Sequence, residues 1–102
     1  MSTWVKICGL TNATDALAAV AMGADAVGFV MAPSPRQVTP GAVREITRLL
    51  PREILTVGVF RDQGPDQVID MCLEAGLQAA QLHGHETPGE AREIRAKVQA
   101  LI

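Results

Sequence analysis

The stretch Val5-Lys6-Ile7-Cys8-Gly9-Leu10-Thr11-Asn12 passes from an apolar strand pattern to a thiol, a glycine and a helix-start signal within a few residues. With Trp4 ahead of them, Val5 and Ile7 favour extended backbone, and Gly9 permits a sharp turn. Asn12 followed three residues later by Asp15 predicts a capped helix running toward Met22. A strand end that faces a helix start is where a parallel sheet keeps its chemistry, so Cys8 is the first candidate functional residue.

The same punctuation recurs along the chain. Strand-like segments lie at Trp4 to Cys8, Ala26 to Val30, Leu55 to Phe60 and Ala79 to His83, each followed by a turn and a helical period. Gly23 suits the end of the first helix. A Pro-rich loop, Ala32 to Val38, leads into Thr39-Pro40, which opens a helix with Val43, Ile46, Leu49 and Leu50 on one face and Pro51 as its stop. Gly64-Pro65 begins a third helix with Val68, Met71, Cys72 and Ala75 on one face, and Gly76 ends it. Thr87-Pro88-Gly89-Glu90 is a capping-box pattern, after which Ala91, Ile94 and Val98 keep helical spacing.

Four βα units in succession require parallel strands, because each helix returns the chain across the sheet in a right-handed crossover. An open doubly wound sheet would usually carry a Gly-rich phosphate loop after its first strand, and neither G-x-G-x-x-G nor G-x-x-x-x-G-K-[ST] occurs. A barrel wall fits better. A complete (β/α)8 barrel takes about 250 residues, or about 200 at the small end. The 102 residues are therefore expected to form an α/β half-barrel of the TIM-barrel family, truncated to about four βα units in a single domain over residues 1–102. Ala100-Leu101-Ile102 would then be the first residues of a fifth strand.

Composition narrows the function classes. The chain is 48% hydrophobic and 20% charged, as expected of one globular domain with a modest core. A net charge of -2, with nine Lys and Arg residues scattered rather than striped, argues against nucleic acid. No apolar run approaches the roughly 20 residues of a membrane span, and the N-terminus lacks signal-peptide organisation, so no membrane partner and a cytoplasmic location are expected. Cys8 and Cys72 show no CxxC pattern and are expected to be free thiols.

Barrel active sites lie at the carboxyl ends of the strands, which selects Cys8, the loop holding Arg36, the Phe60-Arg61-Asp62 turn and the segment Gln81 to His85. The ordinary reading of a strand cysteine is a small buried apolar residue. As a base, Cys8 needs nearby positive charge, and Lys6, two residues back on the same strand face, and Arg36 are the candidate sources. The ordinary reading of Arg36 is an exposed loop residue, and its functional reading is a guanidinium clamp for a carboxylate. Gln81 and His83 share a face, and Gly84 lets the backbone turn or approach a ligand. His83-Gly84-His85 has no recognised ligand spacing, so no metal is expected. The methionines and the helix carboxylates read as packing and as solvated faces.

Val5 to Thr11, Gly23 to Val30, Ser34-Pro35-Arg36-Gln37-Val38-Thr39-Pro40, Val57-Gly58-Val59-Phe60 and Gln81-Leu82-His83-Gly84 together resemble the phosphoribosylanthranilate isomerase family in order and spacing. The resemblance covers essentially the whole chain but only the first half of that family's barrel. It implies an intramolecular isomerase of tryptophan biosynthesis that performs the Amadori rearrangement of N-(5-phosphoribosyl)anthranilate without cofactor or metal. Cys8 would be the catalytic base at C2 of the sugar, and Arg36 would hold the anthranilate carboxylate. Gln81 and His83 would line the substrate pocket. In that family an aspartate after the fifth strand is the general acid, and loops after strands seven and eight bind phosphate, all beyond this sequence. The isolated chain is therefore expected to be inactive, and to pair as a homodimer or with the missing carboxyl-terminal half. The alternatives are a non-catalytic, self-associating half-barrel and another small phosphate-binding barrel enzyme.

Overall fold

The helix-start signals in the sequence are the ones that the backbone uses. In the computed structural model, which describes residues 4–84, 87–96 and 100–101, the Asn12 side chain accepts from the Asp15 N–H at 2.8 Å and opens α1 (Ala13–Ala21). Thr39 accepts from the Ala42 N–H at 3.2 Å ahead of α2 (Pro40–Thr47). Gly64 and Gly76 bound α3 (Pro65–Ala75). Before α4 (Pro88–Arg95), Thr87 and Glu90 exchange the two bonds of a capping box, 3.2 and 3.0 Å long.

Between these helices run β1 (Lys6–Ile7), β2 (Ala26–Val30), β3 (Leu55–Phe60) and β4 (Ala79–Leu82), followed by β5 (Ala100–Leu101). All are parallel, and their order in the sheet is β1-β2-β3-β4-β5. Because this order never reverses, successive right-handed crossovers put every helix on the same face. That is the winding of a barrel wall, whereas a doubly wound sheet reverses its order.

The two faces are buried unequally. On the helix side, Val27, Phe29, Phe60 and Ala80 pack with Ala16, Val43, Val68, Cys72 and Ile94. Among the described residues, the other side carries only a small cluster of Ala26, Val57 and Ala79 with Leu55 against it. By alternation, Lys6, Cys8, Gly28, Val59 and Gln81 lie on that second side. There the Lys6 ammonium donates to Oε1 of Gln81, from β1 to β4. Three strand spacings of a flat sheet would hold those strands about 14 Å apart, so the bond requires this face to be concave.

Element ends depart from expectation where pairing is one-sided or a turn tightens. β1 was expected over Trp4 to Cys8, but as an edge with a single neighbour it forms a ladder only at Lys6–Ile7. Val5 still accepts from the Asp25 and Ala26 N–H groups at 2.8 and 3.1 Å. His83 falls outside β4, although its N–H donates to the Phe60 carbonyl at 2.8 Å and prolongs the pairing. α2 stops at Thr47 rather than at Pro51, because the Leu49 and Leu50 amides close tighter turns on the Ile46 and Thr47 carbonyls at 3.0 and 3.2 Å. Leu49 is consequently exposed, while Leu50 still packs on the core. His85, Val98 and Ile102 lie outside the described residues. Among those described, no helix is long and apolar enough to cross a membrane.

Candidate active site

Immediately after β1 the chain leaves the sheet. The Gly9 and Leu10 N–H groups both donate to the Gly28 carbonyl, at 3.1 and 3.2 Å, and Gly9 takes a φ of 83°, which a side chain would strain. Cys8 is thereby left exposed at the carboxyl end of the wall, against the ordinary reading of a strand cysteine. Its sulfur lies on β2. A Cβ at Gly28 would come within 2.9 Å of Sγ and 3.4 Å of Cβ of Cys8, so glycine is what gives the thiol its seat. Glycine inside a buried strand is a sequence signal of close approach, but only the register shows what approaches. Gly28→Ala is expected to swing the Cys8 side chain aside and change its alkylation rate by iodoacetamide severalfold. An unchanged rate would mean that the sulfur has room to spare.

Cys72 is the buried cysteine. It faces the core from α3, and burial pushes its thiol up to about 11, which keeps it protonated and unreactive near neutral pH.

Arg36 comes to the same place from the loop after β2. Its N–H donates to Ser34 Oγ at 3.1 Å, and the Gln37 N–H donates to the Ser34 carbonyl at 3.0 Å, forming a local turn. A bridge between Val30 and Gln37, with the Val38 N–H on the Val30 carbonyl at 3.1 Å, ties that turn to the strand end. The guanidinium lies over the Gly9 backbone: a Cβ there would meet Nη1 at 2.5 Å and Cζ at 2.9 Å. Thus Gly9 permits both the turn after Cys8 and the approach of Arg36.

The other two candidates are placed differently. Gln81 is half-buried on the concave face and engaged by Lys6. His83 is exposed in a shallow hollow with Arg61, Leu82 and Gly84, and no hydrogen bond joins its ring to Cys8, Arg36 or Gln81. Two loop residues brace the rim: Gln63, to which sequence reasoning gave no role, and Asp62, from the turn selected by its place after β3. Gln63 donates from Nε2 to the Met31 carbonyl at 3.0 Å and accepts from the Arg61 N–H at 2.6 Å, joining the loops after β2 and β3. Asp62, held at a φ of 58°, packs on Gly84, where a Cβ would lie 2.8 Å from its Cγ and 2.9 Å from its amide nitrogen. Among the described residues, no cluster of three or more His, Cys, Asp and Glu groups is placed to hold a metal ion.

The rim therefore offers an exposed thiol, a guanidinium beside it, and an ammonium-held carboxamide on the same concave wall. Comparison with known proteins gives this arrangement a context. The isomerase from Symbiobacterium thermophilum named N-(5'-phosphoribosyl)anthranilate isomerase is 54% identical over 99 residues, which is 97% of this chain and 45% of that protein. The crystal structure of phosphoribosyl anthranilate isomerase from Thermus thermophilus superposes with a TM-score of 0.93 at 47% identity, over 96% of this chain and 50% of that one. A structure of the isomerase in complex with reduced 1-(o-carboxyphenylamino)-1-deoxyribulose 5-phosphate superposes equally, with a TM-score of 0.93 at 42% identity over 97% of this chain and 52% of that one. The chain spans about half the length of the curated relatives it matches. The model of the N-(5'phosphoribosyl)anthranilate (PRA) isomerase family matches residues 5–102, and on that match and those identities the chain belongs to this family.

Proposed function

We propose that this chain supplies the amino-terminal half of a phosphoribosylanthranilate isomerase barrel, with Cys8 as general base and Arg36 as the clamp on the anthranilate carboxylate. The observation that carries this reading is the Arg36 guanidinium resting on Gly9, one residue beyond the thiol. A guanidinium presents parallel N–H donors that match a carboxylate, and here it would hold the substrate's aromatic end within reach of a proton acceptor. The sugar would then lie over the sulfur, with Gln81 on the wall and His83 at the mouth.

The chemistry divides between two halves. An acid protonates the ring oxygen and the ring opens to an iminium. The Cys8 thiolate then takes the proton from C2, the C2–H pair becomes the C1–C2 double bond, and the nitrogen takes back the iminium pair. Proton return to C1 with loss of the enol proton gives the ketone. The concave strand positions of the described residues provide the thiol and one ammonium, Lys6, but no carboxylate, so the acid and the phosphate site are assigned to a carboxyl-terminal half. Without them, proton transfer at one end and positioning of the whole substrate are lost.

The outer side of β1 supports the half-barrel reading. Val5, Ile7 and Met22 are exposed there, and a groove between β1 and α1 is lined by Val5, Ile7, Leu10, Ala18, Ala19 and Met22. In a closed barrel the last βα unit would cover this face, and in its absence a second copy of the chain would. The purified chain is expected to show no turnover by substrate-fluorescence decay and a mass above the 10.8 kDa of one copy by light scattering. Mixing it with a separately made carboxyl-terminal half should restore turnover. Robust activity of the chain alone, free of host enzyme, defeats this proposal.

A further inference from the structure

The bond between Lys6 and Gln81 is not used by the roles given to Cys8 and Arg36. It joins residues 75 apart in sequence across the concave face. In the register, Lys6 pairs with Ala26 and Ala26 with Leu55, whereas Gln81 pairs with Val59, further along β3. Lys6 therefore reaches along the wall as well as across it, toward the end that carries Cys8. Both side chains are half-buried. An ammonium has donors only, so the carboxamide must turn its oxygen toward Lys6, which leaves its NH2 directed away from that bond. An unheld glutamine presents either end.

We infer that Lys6 is a positioning residue of this site: by holding Oε1 of Gln81 it fixes the carboxamide as a hydrogen-bond donor to an acceptor oxygen of the bound substrate. The identity of that substrate rests on the isomerase reading, while the fixing of the amide does not. Lys6→Met keeps the side-chain length and removes the donor. In the 15N-labelled chain, the Gln81 side-chain NH2 pair, identified by its loss in Gln81→Leu, is expected to move more than any other glutamine pair when Lys6→Met is introduced. An unmoved pair overturns the inference. In the chain completed by a carboxyl-terminal half, Lys6→Met and Gln81→Leu are each expected to weaken binding of the reduced deoxyribulose phosphate analogue about tenfold, as for one lost hydrogen bond. The double variant should bind no worse than either single one, and Lys6→Arg should recover part of the loss. Single effects that multiply in the double variant, or a Lys6→Met protein that binds normally, overturn the inference. Analogue binding needs no proton transfer, so it is independent of the role of Cys8. If the unsubstituted complex fails to bind the analogue, the isomerase reading falls and the amide shift alone decides the role of Lys6.

Discussion

Cys8→Ser, made in the chain completed by its carboxyl-terminal half, is expected to lower kcat by about 10²-fold or more, the range for loss of a general base. Serine keeps the shape of the side chain, but its hydroxyl is far too weak an acid to supply an anion that takes a proton from carbon near neutral pH. Stability should hardly change, since Cys8 is exposed and its side chain fills no core space. An independent measurement uses the contrast between the two thiols. Iodoacetamide at neutral pH should modify Cys8 and abolish turnover at the same rate, while Cys72, its thiol pushed up to about 11 by burial, stays unmodified. Near-normal kcat in Cys8→Ser, or inactivation that follows Cys72 instead, would remove Cys8 from the chemistry.

Phe60→Ala is expected to have the opposite profile, with a large stability loss of about 3–5 kcal/mol. The Phe60 side chain is fully buried between the sheet and the helices. Its ring folds back over Gly58, where a Cβ would lie 2.9 Å from the ring's Cε2 and 2.6 Å from Leu77 Cδ1. One wall of the resulting cavity is sheet backbone, which cannot move in to fill it, and this places the cost toward the upper part of the range. Domains of this kind are stable by about 5–15 kcal/mol, so much of the margin would go. The urea midpoint should fall at unchanged slope, and Phe60→Leu should recover most of it. A midpoint within experimental error of the unsubstituted protein would show that the ring is not part of a close-packed core.

Local signals in the sequence were sufficient for most of the fold. Asn12, Thr39 and the Thr87/Glu90 pair each act within three residues, so the helices they open could be read directly. The apolar run Ala26-Val27-Gly28-Phe29-Val30 reads as a strand, and β2 covers those five residues. Leu49 was misread because helical spacing continues past Thr47 in the sequence while the backbone has already tightened into a turn. At the candidate site, Cys8 and Arg36 were nameable from motif and position. The seat that Gly28 makes for the sulfur depends on strand register, the Lys6 to Gln81 bond depends on the curl of the wall, and the brace through Gln63 depends on how two loops meet. None of those is encoded in neighbouring residues.

The unreversed order of the strands also bears on how the protein is made. Each strand pairs with the one synthesised immediately before it, so no described strand waits for a distant partner still to be translated. A ribosome adds about 5–20 residues per second, and a new strand and helix therefore emerge over a second or more, against microseconds for local structure to form. Each unit has time to dock on its predecessor while the next is still in the exit tunnel. The wall grows in the direction of translation, and its unsatisfied edge moves forward with the nascent chain.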